Sequence, residues 1–174
     1  MKKTVFISTL ILLLALFNCS RKPVVTCGLG DLESRQNMDS EIVQMERIAI
    51  ADTTIASVSG EILAKDSSAA GVVIDTLIAS LVIFTDKSTG KTYGSQTDMH
   101  GKYHCFLPAS TYDIKVQYIA YNTLIVRNVS FGTGDIVRFN AILGQLSIDG
   151  DSTVFEMQAD KTIKRAPARI DTNK

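Results

Sequence analysis

Tryptophan is absent from this chain of 174 residues, and proline, cysteine and histidine number only three, three and two. Three prolines exclude a collagen-like or Pro-rich architecture, and so few Cys and His leave little material for a disulfide scaffold or a zinc site. Aromatic residues make up 7% of the chain, a poor supply for the exposed ring platform of a typical glycan site. An excess of either charge is missing too, with 18 basic against 18 acidic residues, so there is no basic footprint for nucleic acid and no nucleic-acid partner is expected. The longest apolar run, Val5 to Phe17, is broken only by Ser8 and Thr9 and would cover about 20 Å as a helix. A hydrocarbon core of about 30 Å needs more, so a permanent transmembrane span is not expected. What is present is a hydrophobic content of 45% with 21% charged residues, enough for one folded domain with tails.

Lys2 and Lys3 precede the apolar run, and polar Asn18-Cys19-Ser20-Arg21-Lys22 follows it. Charged start, short apolar stretch and abrupt polar end describe a secretory signal over residues 1–18. Leu16-Phe17-Asn18-Cys19 resembles a lipobox, at which bacterial lipoproteins are acylated on the cysteine thiol and cleaved before it. Asn18 and the bulky Phe17 depart from that pattern, whereas Cys27 lies too far from the run to compete. The resemblance implies lipid attachment at Cys19, a membrane anchored through acyl chains, and a mature chain with 16 basic and 18 acidic residues. Ser20 after the cysteine fits sorting to the outer membrane, facing the periplasm. Cys27 and Cys105 are then the remaining thiols, expected as two separate thiols rather than a bridge.

Residues 19–52 read as a tether containing a short amphipathic helix. Its apolar positions Met38, Ile42, Met45 and Ala49 recur at three-to-four spacing, with Asp39-Ser40 as its start. From Thr53 onward Val, Ile, Thr and Tyr dominate, in short runs bounded by Gly, Asp, Asn, Ser or Pro. Strands are expected at 54–64, 78–85, 91–97, 102–107, 111–119, 123–130 and 136–143, making residues 53–144 an all-β, seven-stranded antiparallel sandwich. Alternation points Tyr112, Ile114, Val116 and Tyr118 inward on one strand, and Val137, Phe139, Ala141 and Leu143 on another. Thr97 to Tyr103 reads as a tight hairpin with Gly101 at positive φ. Residues 145–174 form a polar tail with one edge strand near Thr153 to Met157 and a mobile end beyond Ala159.

The order Val58-Ser59-Gly60-Glu61-Ile62, Ala79 to Phe84, Thr97-Asp98-Met99-His100-Gly101-Lys102-Tyr103, Leu107-Pro108, Tyr112 to Val116, Tyr118 to Tyr121 and Phe139 to Leu143 resembles the carboxypeptidase-regulatory-like domain. That family is a transthyretin-like, Ig-like β-sandwich common in envelope lipoproteins of the Bacteroidetes. The resemblance covers about half the chain and implies an accessory module without catalytic residues or cofactor. Ser110 and Ala120 stand where the family has Gly, so both turns are expected to use other backbone angles, and His100 replaces a usual Asp, Asn or Glu. The segment Asp66 to Thr76 is longer and less polar than the corresponding loop.

Candidate chemistry is sparse. His104 and Cys105 are adjacent on an expected strand and therefore point to opposite faces, while His100 sits in a turn, so no metal site is expected. Asp75, Asp86, Asp98 and Asp113 fall at turns or solvent faces, where Asp ordinarily stabilises the turn rather than working as an acid or base. Nucleophile elbows, phosphate-cradling Gly loops and His-Glu-x-x-His are absent, as is the Tyr-Arg-Gly-Ser end of hydroxyisourate hydrolases, and no enzyme is expected. Lys65, Asn140 and Glu61 are the residue types of an isopeptide bond in related collagen-adhesin domains, with ordinary surface roles as the simpler reading. Two functions remain open: a structural or protein-interaction module with an envelope protein as partner, or a glycan-binding lipoprotein of starch-binding-like fold using Tyr93, Tyr121 and Phe131.

Overall fold

The computed structural model describes residues 38–68, 70–146, 152–158 and 163–165, and among them every regular element is a β-strand. In chain order the strands are β1 (Glu41–Ile50), β2 (Ile55–Ser68), β3 (Gly71–Thr76), β4 (Leu81–Asp86), β5 (Thr92–Gln96), β6 (Lys102–Pro108), β7 (Ser110–Gln117), β8 (Leu124–Phe131), β9 (Asp135–Gly144), β10 (Thr153–Met157) and β11 (Ile163–Arg165). They form a sandwich of two sheets. The first runs β1-β9-β2, and the free side of β2 is shared by β6 along its first half and β3 along its second. The second runs β11-β10-β8-β7-β4-β5.

Period-two patterning builds the core between them. Ala56, Val58, Ile62 and Ala64 of β2, Tyr103, Cys105 and Leu107 of β6 and Val137, Phe139, Ala141 and Leu143 of β9 supply one inner face. Val82 and Phe84 of β4, Tyr112, Ile114 and Val116 of β7 and Leu124, Val126, Val129 and Phe131 of β8 supply the other. Each fully buried aliphatic or aromatic side chain contributes about 1.5–3 kcal/mol, so these two faces carry most of the driving force for folding.

All seven expected strands are present, with ends shifted by a few residues, and the all-β sandwich is confirmed. Four differences have physical causes. The expected N-terminal helix is β1, antiparallel to β9, with extra residues at Val43 and Ile48 where the register shifts. The bulge at Val43 sets Ile42 and Met45 opposite inward Ala141 and Phe139, a three-residue step that imitates a helix, while Ala49 lies exposed opposite Ile136. The expected loop from Asp66 to Thr76 is the end of β2 and an added strand, β3. The tail adds β10, near the expected position, and β11 beyond it. Nor is the sandwich wholly antiparallel: β2 pairs with β9 and β8 with β10 in parallel, a direction that side-chain alternation alone does not encode.

Two turns refine the reading further. Gly101 takes φ of 69° in the Thr97–Tyr103 hairpin, where Asp98 Oδ1 accepts the His100 and Lys102 amides at 2.8 and 2.9 Å. Ala120 does not use another angle: its φ of 68° is the glycine-like one, imposed by the tight passage from β7 to β8. Tyr118, expected to point inward, instead lies past the end of β7 and is exposed, its ring 5.9 Å from that of Tyr121.

Gly60 is required by close approach. The β2–β9 ladder pairs Ser57 to Ser59 and Ile62 to Lys65 and skips the two residues between. In that gap a Cβ on Gly60 would lie 1.8 Å from the Phe139 carbonyl oxygen, which instead accepts the buried Tyr103 hydroxyl at 2.9 Å. Asn140 Oδ1 replaces the lost ladder bond by accepting the Glu61 amide at 2.9 Å. Gly60→Ala is expected to lower stability by about 2 kcal/mol or more through overpacking. Ala120→Gly, which relieves a left-handed alanine, is expected to raise it by about 1 kcal/mol. Urea midpoints of the two variants should therefore move in opposite directions; movement in the same direction contradicts the assigned backbone geometry.

Candidate interaction surface

The residues singled out from sequence do not converge. Cys19 and Cys27 lie outside the described residues, and Cys105 is a free thiol on the inner face of β6, its pKa raised by burial. His104 points to the opposite face, where its Nε2 is 2.8 Å from Ser57 Oγ and its ring meets Phe106 edge-on at 4.3 Å. His100 is exposed in the hairpin turn. Among the described residues no group of three or more His, Cys, Asp and Glu side chains gathers in a metal-holding arrangement.

Phe131 corrects the expectation of an aromatic platform. Only 4% exposed, it packs against Tyr112 at 5.8 Å and Phe84 at 6.3 Å, because its position on β8 faces the core. Tyr93 is half-buried edge-on to Tyr112 at 6.1 Å, and Tyr121 is half-buried with its hydroxyl donating to Asp66 Oδ2 at 2.8 Å. Tyr93 and Phe131 thus belong to one internal ring cluster, and Tyr121 to a different part of the fold.

The isopeptide set is also separated. Asn140 lies beside Glu61, but Lys65 is opposite Gly144, four residues or about 13 Å further along the ladder. Lys65 Nζ donates to Glu41 Oε1 at 2.6 Å, and Asn140 Nδ2 donates to Gln44 Oε1 at 2.8 Å.

The four aspartates are structural in geometry. Buried Asp86 closes the β4–β5 turn: its Oδ1 accepts the Ser88 amide and hydroxyl at 2.8 and 2.7 Å and the Ser110 hydroxyl at 2.8 Å, and its Oδ2 accepts Thr89 Oγ1 at 2.9 Å. The Ser88 hydroxyl foremost, with the other donors, holds this carboxyl well below the usual carboxylate range. The Lys102 and His100 amides do the same for Asp98. Asp113 Oδ1 accepts the Asn128 amide at 3.0 Å, and Asp75 Oδ1 accepts the Thr76 amide at 2.7 Å.

Two surface features bear on function. One is a groove of about 550 Å³ between the sheets, walled by Met45, Arg47, Val129, Phe131, Asp135 and Met157 among others. Along its first-sheet wall Arg47 Nε lies 2.9 Å from Asp135 Oδ1, so these two lining charges are already paired. The other is the edge of the first sheet at β3. Val72, Val73 and Ile74 are 58, 48 and 55% exposed, consecutive, and apolar on both faces of the strand. Pairing of β3 is with β2 alone among the described residues. Antiparallel ladders alternate bonded and non-bonded pairs. Leu77 N donates to Ile62 O at 3.1 Å, which makes the pairs Ala64–Asp75 and Asp66–Val73 the bonded ones. The backbone N–H and C=O of Val72 and Ile74 consequently face outward. Sequence reasoning passed over this edge because its residues neither alternate nor lengthen into a long run; three β-branched residues after Gly71 were the available signal.

Comparison of the chain with protein-family models, curated proteins and solved structures returned no match.

The lowered carboxyls of Asp86 and Asp98 have a pH consequence. A group whose folded pKa is depressed stabilises the fold above its unfolded value, about 4, and that stabilisation is lost as pH falls toward the folded value. Unfolding midpoints are expected to be level from pH 7 to about 5 and to drop below about pH 4. Asp86→Asn is expected to lower the midpoint at pH 7 and flatten the acid decline; an unchanged decline would remove Asp86 as a source of it.

Proposed function

We propose that this chain is a non-catalytic cell-envelope lipoprotein of carboxypeptidase-regulatory-like type, anchored in the outer membrane through Cys19 and facing the periplasm. Its β-sandwich serves as a structural and protein-interaction module. The observation that supports the interaction role is the edge at β3, where outward-facing backbone donors and acceptors of Val72 and Ile74 are framed by exposed aliphatic side chains. Natural sheets ordinarily blunt such an edge with Lys, Pro, a bulge or a covering loop, because it is a template for another strand. β3 has no Lys or Pro and its register with β2 contains no bulge. Strand addition uses main-chain hydrogen bonds for affinity and alternate side chains for fit, and it asks nothing of catalytic residues. The anchor rests on the leader pattern and on Cys19 directly after it.

Two measurements test this reading. Cys19→Ala is expected to move the protein from the membrane fraction to the soluble envelope fraction; retention in membranes argues against lipid at that residue. A photo-crosslinking amino acid placed at Val72 in intact envelopes is expected to yield a discrete protein adduct, while the same group at exposed Met99, in the His100 hairpin, yields none. Absence of any adduct from Val72 overturns the interaction role.

A further inference from the structure

The sequence of β3, taken with the direction of its free backbone groups, specifies a partner strand. We propose that the partner is β3 of a second copy of this chain, paired antiparallel across a two-fold axis at Val73; this rests on the reading of β3 as the interaction edge.

The register follows from hydrogen bonding and charge. The outward backbone groups belong to Val72 and Ile74, whereas those of Val73 and Asp75 are engaged by β2. An antiparallel partner must therefore set outward residues opposite outward residues, which eliminates every register displaced by one. Of those left, the arrangement centred on Val73 opposes Val72 to Ile74, Val73 to Val73 and Gly71 to Asp75. It makes four main-chain hydrogen bonds, two from each Val72–Ile74 pair. It also places β-branched side chains against one another on both faces, the favourable kind of cross-strand pair.

The side-chain sequence of β3 suits a second copy, because apolar residues oppose apolar residues and its like charges are kept apart. Asp75 is the one charged residue of β3, and in this register it faces the glycine at the other end of the partner strand. The two Asp75 carboxylates are then four residues apart along the strands, about 13 Å. Sliding the register two residues toward Thr76 would bring them closer and set Val73 against Asp75. The stretch is thus β-branched in both directions, with its charge placed where a two-fold repeat tolerates it. Such pairing is isologous: it joins two five-stranded sheets into one through their β3 edges, and the two-fold contact closes on itself as a dimer.

The full-length lipidated chain tests the register directly. Val73 opposes itself as a non-bonded pair, with Cα atoms about 4.5 Å apart, within disulfide range. In a Cys27→Ser background, Val73→Cys is expected to form a disulfide-linked dimer in envelopes under mild oxidation. Val72→Cys and Ile74→Cys, each about 7–8 Å from its own counterpart, are expected to link far less. In detergent solution sedimentation should give a dimer, and Val73→Lys, which opposes two ammonium groups at the axis, should raise the dissociation constant at least about tenfold. A monomer in detergent, or equal cross-linking at all three positions, overturns the self-pairing. If the Val72 photoadduct then has the mass of a different protein, the interaction role stands and only the identity of the partner changes. If there is no adduct at all, both fall.

Discussion

The length of β2 governs this structure. Its 14 residues outrun the sandwich: Ala56, Val58, Ile62 and Ala64 are buried against the opposite sheet, while the same inner face continues with Asp66 and Ser68. No single neighbour spans such a strand on its free side. β6 pairs with residues up to Glu61 and β3 takes over from Leu63, so the β2–β3 hairpin extends the sheet past its covered core. Exposure of Val72, Val73 and Ile74 follows from that overshoot. So does their availability, because the outward backbone groups and apolar side chains of β3 are covered by no other strand among the described residues.

At the other end of the sheet, polar stitching anchors the entry of β1. Ser40, buried before β1, donates through Oγ to Asn122 O at 2.8 Å and accepts the Gly144 amide at 3.1 Å, while its own amide donates to Thr153 Oγ1 at 3.2 Å. Arg165 of β11 grips Asp39 with two bonds of 2.6 Å, one from each terminal nitrogen. Residues from β9, β10, β11 and the β7–β8 turn thereby fix the entry of β1. The bidentate bond from Arg165 also holds the Asp39 carboxyl below its usual range. The start of β1 is thus tied down by side-chain bonds, whereas β3 has no such ties to the second sheet among the described residues.

Period-two patterning made the central strands legible from sequence, since β7 and β9 each bury alternate residues and a half-buried strand has little freedom to do otherwise. The Asp98–Gly101 hairpin was legible because its turn chemistry is local. β1 was not, because the bulge at Val43 put Ile42 and Met45 three residues apart on one face, the spacing of a helix. β3 was not, because an edge exposed on both faces has no alternation to display. Phe131 was misplaced at the surface because the expected strand ended at residue 130, whereas β8 runs to Phe131 and its register turns the ring inward against Phe84 and Tyr112. The candidate site was therefore the least legible part of the fold: interaction edges lack the buried-face signal that reveals core strands.

Hydrogen exchange of four consecutive amides tests the central claim most directly. In dilute solution Val73 and Asp75, bonded to β2, should exchange slowly, while Val72 and Ile74 exchange at nearly the rate of an open chain. Raising the protein concentration should slow Val72 and Ile74 and leave the other two unchanged. Equal protection of all four amides at every concentration would mean that the β3 edge is already covered within the single chain, and would contradict the account.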